Sequence, residues 1–95
     1  MTKVSYDEAA MEDGETRIVH ENGRTLEMTG EQANGEWFAY NGDSEAKCFW
    51  QGYYESDGEV DVMQDEDGNE LARFAAGDDE ALLAWAEQVL AADEG

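Results

Sequence analysis

Residues 37–54, WFAYNGDSEAKCFWQGYY, hold seven of the ten aromatic residues of a 95-residue chain. Two short runs, EWFAY (36–40) and AKCFWQGYY (46–54), flank the turn Asn41-Gly42-Asp43-Ser44 and read together as a hairpin of aromatic strands. Successive side chains of a strand point to opposite faces, so the aromatics must divide between a core face and a second face. How they divide depends on the strands around them. Further runs recur at 15–20 (ETRIVH), 24–29 (RTLEMT), 59–64 (EVDVMQ) and 70–75 (ELARFA). Between the runs lie Asn22-Gly23, Gly30 to Gly35, Ser56-Asp57-Gly58 and Glu66-Asp67-Gly68. Six runs in series predict an antiparallel β-meander.

From residue 78 the pattern changes. DDEALLAWAEQVLAAD places Leu82, Trp85, Ala86, Val89 and Leu90 at helical spacing. Asp78 can cap this helix, and Asp79 and Glu80 suit the positive end of its dipole. Near the start, Ser5-Tyr6-Asp7-Glu8 matches a capping box and predicts a short helix over 6–12, in competition with a strand over 2–6. The expected architecture is α+β: one domain over 1–95, a roughly six-stranded antiparallel meander, and a C-terminal amphipathic helix packed on one face. A small meander closed by such a helix resembles the pleckstrin-homology-like superfold in architecture alone, and architecture does not imply function.

Turn chemistry sets register, and register sets faces. Asn-Gly favours a two-residue type I′ loop, which places Val19 beside Leu26. Four-residue loops at 31–34 and 41–44 put Met28 beside Trp37, Leu26 beside Ala39, and Trp37 beside Cys48. Three-residue loops at the two Asp-Gly turns put Tyr54 opposite Val60, and Val62 opposite Ala72. One face then collects Val19, Leu26, Met28, Trp37, Ala39, Ala46, Cys48, Trp50, Tyr54, Val60, Val62, Ala72 and Phe74, the expected core beneath the helix. The other face carries Phe38, Tyr40, Phe49, Tyr53, Met63 and Leu71 among polar neighbours. These six are the candidate partner-binding residues, because contiguous exposed apolar surface marks interaction sites. The N-terminal segment, through Val4, Tyr6 and Met11, is the competing cover, and closure into a barrel is the third arrangement.

The charge balance is extreme: 25 acids against two lysines and three arginines, a formal net charge of −20. Hydrophobic residues at 41% and aromatics at 11% separate the chain from acidic disordered sequences, which lack the material for a core. Scarce lysine, 13 alanines, one isoleucine and carboxylates dispersed over the whole length resemble the cytoplasmic proteins of extreme halophilic archaea. That compositional resemblance implies work in molar salt, where a Debye length of about 3 Å screens the surplus carboxylates from one another. The competing reading of the acidity is a nucleic-acid mimic that occupies a basic site. No run of 18 apolar residues is present, so no membrane span is expected. The first residues turn acidic before any apolar stretch, against a signal peptide. The single cysteine, Cys48, allows no internal disulfide and suits a reducing cytoplasm.

Motifs for chemistry are few. QDEDGNE (64–70) has the look of a calcium loop, but with Gly68 at position 6 of an EF-hand, Met63 would take position 1 and Phe74 position 12. The segment reads as an acidic hairpin turn. One Cys and one His fall short of a zinc set, and neither GxxxxGK[ST] nor GxGxxG occurs, so no metal and no cofactor are expected. Lys3, Arg17, Arg24, Lys47 and Arg73 are scattered over different runs and form no track for a nucleic acid. The expected register puts His20 in a row with Thr25, Tyr40 and Glu45, which supports a runner-up reading as a small-ligand-binding or minor catalytic domain. Such residue types recur by chance on any mixed sheet face, so no catalytic residue is assigned. The pattern favours a non-enzymatic protein-interaction module that uses its aromatic face for a protein partner or a second copy, with no nucleic-acid or membrane role.

Overall fold

The structure is a computed structural model and describes residues 3–8, 15–29, 34–42 and 47–91. Seven strands follow in chain order: β1 (Val4–Tyr6), β2 (Glu15–His20), β3 (Arg24–Thr29), β4 (Asn34–Asn41), β5 (Cys48–Ser56), β6 (Val60–Asp65) and β7 (Glu70–Ala75). They form one antiparallel sheet in the order β1-β2-β3-β4-β5-β6-β7, and α1 (Asp79–Ala91) completes the chain. The six expected runs are β2 to β7. The extra strand, β1, is the strand alternative at the N-terminus; most of the competing helix over 6–12 lies outside the described residues. No described helix is long and apolar enough to cross a membrane.

β1 and β7 are not hydrogen-bonded to each other, yet α1 touches β1, β2 and β3 on one side and β7 on the other. The sheet therefore curls around its core face, and the helix spans the opening. Trp85, Ala86, Val89 and Leu90 are buried beneath it, as the helical spacing predicted. Asp78 Oδ1 accepts from the Ala81 N–H (3.1 Å), capping the first turn. At the other end the Leu90 carbonyl accepts from Asn22 Nδ2 (3.0 Å) and from Arg24 Nη1 (3.1 Å). The helix has no basic residue in its last turn, so the cation that complements its negative end comes from β3. Tyr6 Oη donates to Asp79 Oδ1 (3.0 Å) and the Lys3 N–H to Glu87 Oε1 (2.9 Å), which ties β1 to the helix. Burial, then the bond to Asp79 and its charge, push the Tyr6 phenol up to about 12, so it stays a donor over the neutral range.

Between β3 and β4 the expected register is the observed one, with Leu26 opposite Ala39 and Met28 opposite Trp37. Between β4 and β5 Trp37 lies opposite Gly52, and Ala39 opposite Trp50. The offset from expectation is even, so the core face survives there. Three other hairpins differ by odd numbers: β2–β3 and β5–β6 each flip a strand, and β6–β7 reverses the second flip.

The first is β2–β3, where Ile18 rather than Val19 pairs with Leu26. Gly23 takes φ +93° and its N–H donates to the His20 carbonyl (2.9 Å), while among the described residues none other than glycine has positive φ. A type I′ pair needs positive φ at both central residues, so the loop is the three-residue Glu21-Asn22-Gly23 form instead. Asn22 holds it by accepting the Arg24 N–H (2.9 Å) while reaching α1. Ile18 and His20 consequently turn inward, and Val19 outward.

The second is β5–β6, where Tyr54 pairs with Met63 rather than Val60. The chain reverses over Gly58 and Glu59, with Gly58 at φ +93° and the Asp57 N–H bonded to the Val60 carbonyl (3.3 Å). Positive φ at the first central residue alone marks a type II′ turn. Asp57 Oδ1 stabilises it by accepting from the Glu59 and Val60 N–H groups (2.9 Å each), bonds that hold this carboxyl below its usual range. Met63 enters the core at 1% exposure, and Val60 and Val62 move to the outer face, half-buried. A bulge between Met63 and Gln64 then pairs Met63 with Ala72, which returns Ala72 and Phe74 to the core as expected.

The core centres on Trp37, with no exposed surface. Its ring meets Trp50 edge-on (centroids 5.5 Å apart, 74°) and Trp85 likewise (5.1 Å, 88°), and Nε1 donates to the Gln64 carbonyl (2.9 Å). Gly52 permits this approach: a Cβ there would fall on the Gln64 carbonyl and on the Trp37 ring.

Candidate functional site

The six sequence candidates do not form one surface. Met63 is in the core, flipped there by the type II′ turn. Tyr40 has no exposed surface. Phe49 is the extra residue at the β4–β5 irregularity, since Ala39 pairs with Trp50 and Tyr40 with Cys48. A bulge re-aims side chains, and Phe49 packs against the core cluster with the Arg24 guanidinium 4.7 Å over its ring. The same irregularity leaves Cys48 exposed, not in the core where even alternation would place it. Phe38 is half-buried, and Tyr53 and Leu71 are exposed at 46% and 38%.

The pocket read around His20, Tyr40 and Glu45 is not assembled. His20 is on the core face, paired with Val4, and its Nδ1 accepts from the Asn22 N–H (2.9 Å). Tyr40 is on the opposite face with Thr25 and Glu27, and Glu45 lies outside the described residues. The one-residue change in the Asn22-Gly23 loop separates the two.

Part of the outer face carries a polar network that the sequence pattern did not reveal. Tyr40 Oη donates to Glu27 Oε2 (2.9 Å), and Arg17 Nη1 meets the same oxygen (3.2 Å). Asp7 Oδ2 lies 3.4 Å from Arg17 Nε, and the Arg17 guanidinium sits 5.8 Å above the Tyr40 ring. Thr25 Oγ1 donates to the Gly42 carbonyl (2.7 Å). Glu27, Thr25 and Tyr40 are all buried. The expected register placed Arg17 on the face opposite Glu27, which hid the pair; a lone cation in mid-strand, one strand from a mid-strand acid, is the signal that would have revealed it.

The rest of the outer face, over β5 to β7, is different. Tyr53 pairs with Gln64, and Gln64 with Glu70 beside Leu71. Val62 is flanked by Glu55 and Arg73 across the strands, and Val60 by Ala75. Arg73 Nη2 is held by Glu70 Oε1 (2.8 Å), both exposed. A shallow hollow of about 160 Å³ lies among Glu55, Ser56, Asp57, Val60, Val62 and Arg73. A larger one, about 520 Å³, opens where β4 begins, among Gly35, Glu36, Tyr53, Tyr54, Glu55 and Gln64. Burial and the charge of Asp61 push the Tyr54 phenol up. At the neighbouring turn, Asp65 Oδ1 accepts from the Asp67 and Asn69 N–H groups (2.9 Å each), so this carboxylate is engaged in closing the β6–β7 hairpin. No protein-family model matches the chain, and neither a curated protein nor a solved structure matches it.

Proposed function

We propose that the chain is a non-enzymatic protein-interaction module adapted to a high-salt cytoplasm, with the outer face of β5 to β7 as its contact surface. One observation carries this reading. Among the described residues, Tyr53 and Leu71 are the large apolar side chains left exposed, and both fall in this half of the sheet beside half-buried Val60 and Val62. The β2–β4 half is taken up by the Arg17–Glu27–Tyr40 network. Clustered apolar exposure marks interaction sites, whereas single exposed residues carry no such meaning. The occupant is a protein partner or a second copy of the chain, since molar salt screens the formal charge of −20 that would disfavour self-association at low salt.

Two measurements test the reading. Chain immobilised in ~2 M potassium chloride should retain a partner from native lysate, and the Tyr53→Ser, Leu71→Ser double variant should lose it. Its stability should change by no more than about 1 kcal/mol, since solvated surface substitutions stay within about 0.5 kcal/mol each. Identical retention by both proteins would remove this face from the reading. High-salt adaptation is tested separately. The thermal midpoint should rise steeply from ~0.1 M to ~2 M potassium chloride as the surplus carboxylates are screened. A midpoint flat over that range would end the halophilic interpretation.

A further inference from the structure

A curled sheet that does not close leaves two strand edges, and here the two differ. β1 has three residues, with Val4 5% exposed, and the Tyr6–Asp79 and Lys3–Glu87 hydrogen bonds tie it to α1. β7 has six residues and pairs with β6 alone among the described strands. Its residues Glu70, Leu71, Arg73 and Ala75 are exposed. The Ala76 N–H donates to the Glu59 carbonyl and the Asn69 carbonyl accepts from the Asp65 N–H (2.9 Å each), so both residues face β6. Along an antiparallel strand, peptide groups turn to alternate sides. Phe74 and Ala72 therefore face β6 as well, and the peptide groups of Glu70, Arg73 and Ala75 point to the open edge. Of these, the Ala75 carbonyl accepts from the Asp78 N–H (3.1 Å) at the turn into α1. An open row of peptide groups is a template for another strand, and proteins blunt such edges with lysine, proline or a cover. β7 has no lysine, and the chain has no proline.

We propose that the β7 edge pairs antiparallel with the β7 edge of a second copy, about a twofold axis between Leu71 and Ala72. The inference rests on the β5–β7 half of the sheet as contact surface and names its occupant. The bulge sets the register. Met63 pairs with Ala72 and Gln64 with Glu70, so Leu71 is the extra residue and Glu70 stands on the same face as Arg73. An axis between 71 and 72 places Glu70 of each copy opposite Arg73 of the other, and bulge against bulge. A twofold contact needs a self-complementary patch, and an acid and a base placed evenly about the axis form one. The axis also brings the two exposed Leu71 residues together, which removes apolar surface from water. Peptide hydrogen bonds supply the affinity of strand addition, while exposed ion pairs add little and serve to fix register. β7 carries one acid and one base in a chain of net −20, so the edge itself adds no net charge, and molar salt screens the remainder.

Sedimentation of the intact chain in ~2 M potassium chloride, where the Debye length is below about 3 Å, tests the pairing. The protein should associate to a dimer and no further, since a twofold contact closes on itself. The Glu70 and Arg73 amides should exchange more slowly as the dimer fraction rises. Arg73→Glu and Glu70→Arg should each weaken association at least fivefold, with amide dispersion intact, because like charges then face across the axis. The chain carrying both changes should dimerise as the original does, and an equimolar mixture of the two single variants should form the heterodimer. A monomer at every concentration would overturn the pairing. So would a dimer in which the single variants associate like the original, or in which the Glu70 and Arg73 amides exchange as in the monomer. Failure here with the lysate comparison intact makes a different polypeptide the occupant of this face. A dimer with these signatures and an unchanged lysate comparison leaves the pairing standing, so the two readings fall separately.

Discussion

Trp37→Ala is expected to cost about 4–5 kcal/mol, the upper range for truncating a buried aromatic residue. The side chain has no exposed surface and joins β4 to Trp50 on β5, Trp85 on α1 and the Gln64 carbonyl on β6. Its loss removes two edge-to-face pairs, each worth about 0.5–1.5 kcal/mol beyond area burial, and takes the indole donor from the part-buried Gln64 carbonyl. Against a total stability on the order of 5–15 kcal/mol, the variant should be largely unfolded in low salt and measurable only near ~2 M potassium chloride. Urea titration at that salt gives the number. Trp37→Phe, which keeps a ring but loses the indole N–H, should lose about half as much. A cost below about 2 kcal/mol for the alanine variant would mean that the Trp37–Trp50–Trp85 cluster is not the centre of the fold.

Glu27→Ala comes next. It strips the Arg17 guanidinium and the Tyr40 hydroxyl of their shared carboxylate, with the Arg17 and Glu27 side chains only 16% and 8% exposed. Removing one member of a buried pair costs about 3–5 kcal/mol, mostly the penalty of an uncompensated charge; Asp7 beside Arg17 should hold the loss near 3 kcal/mol. Tyr40→Phe, which removes one hydrogen bond to a charged group, should cost about 1.5–3 kcal/mol. The salt response separates this network from the surface. Buried pairs are screened far less than exposed ones, so the Glu27→Ala difference should persist from ~0.5 M to ~3 M potassium chloride. A difference that shrinks steadily with salt would place the network in solvent. These variants leave Tyr53 and Leu71 untouched, so they bear on the scaffold and not on the proposed contact surface.

From residue 15 onward the sequence by itself determined which segments are strands and where the helix lies; the choice of strand over helix at β1 came from the structure. The β2 to β7 runs alternate apolar and polar residues between glycine turns, and the α1 stripe has a single unambiguous period. It also determined the β3–β4 register, because Leu26, Met28, Trp37 and Ala39 match on one face with polar or aromatic alternatives on the other. Faces survived an even offset between β4 and β5 for the reason that strand periodicity is two. Only the tertiary structure decided β2 and β6. Each offers an apolar residue to either face, Ile18 or Val19 and Met63 or Val62, so alternation inside the strand cannot choose. The choice was made by contacts beyond the strand's own alternation. Asn22 and Arg24 bond the Leu90 carbonyl at the end of α1, which draws Ile18 and His20 inward, while the Gly58 turn and the Met63 bulge seat Met63 in the core. The candidate site shared that fate. Met63 and Phe49 left the outer face through a turn and a bulge, Tyr40 went into a polar network completed by Arg17, and Tyr53 and Leu71 remained exposed. A turn type shifts by one residue at the cost of a single φ angle, so both registers were open to the local sequence, and the one adopted is the one whose turns agree with helix docking and core volume, which involve the whole chain.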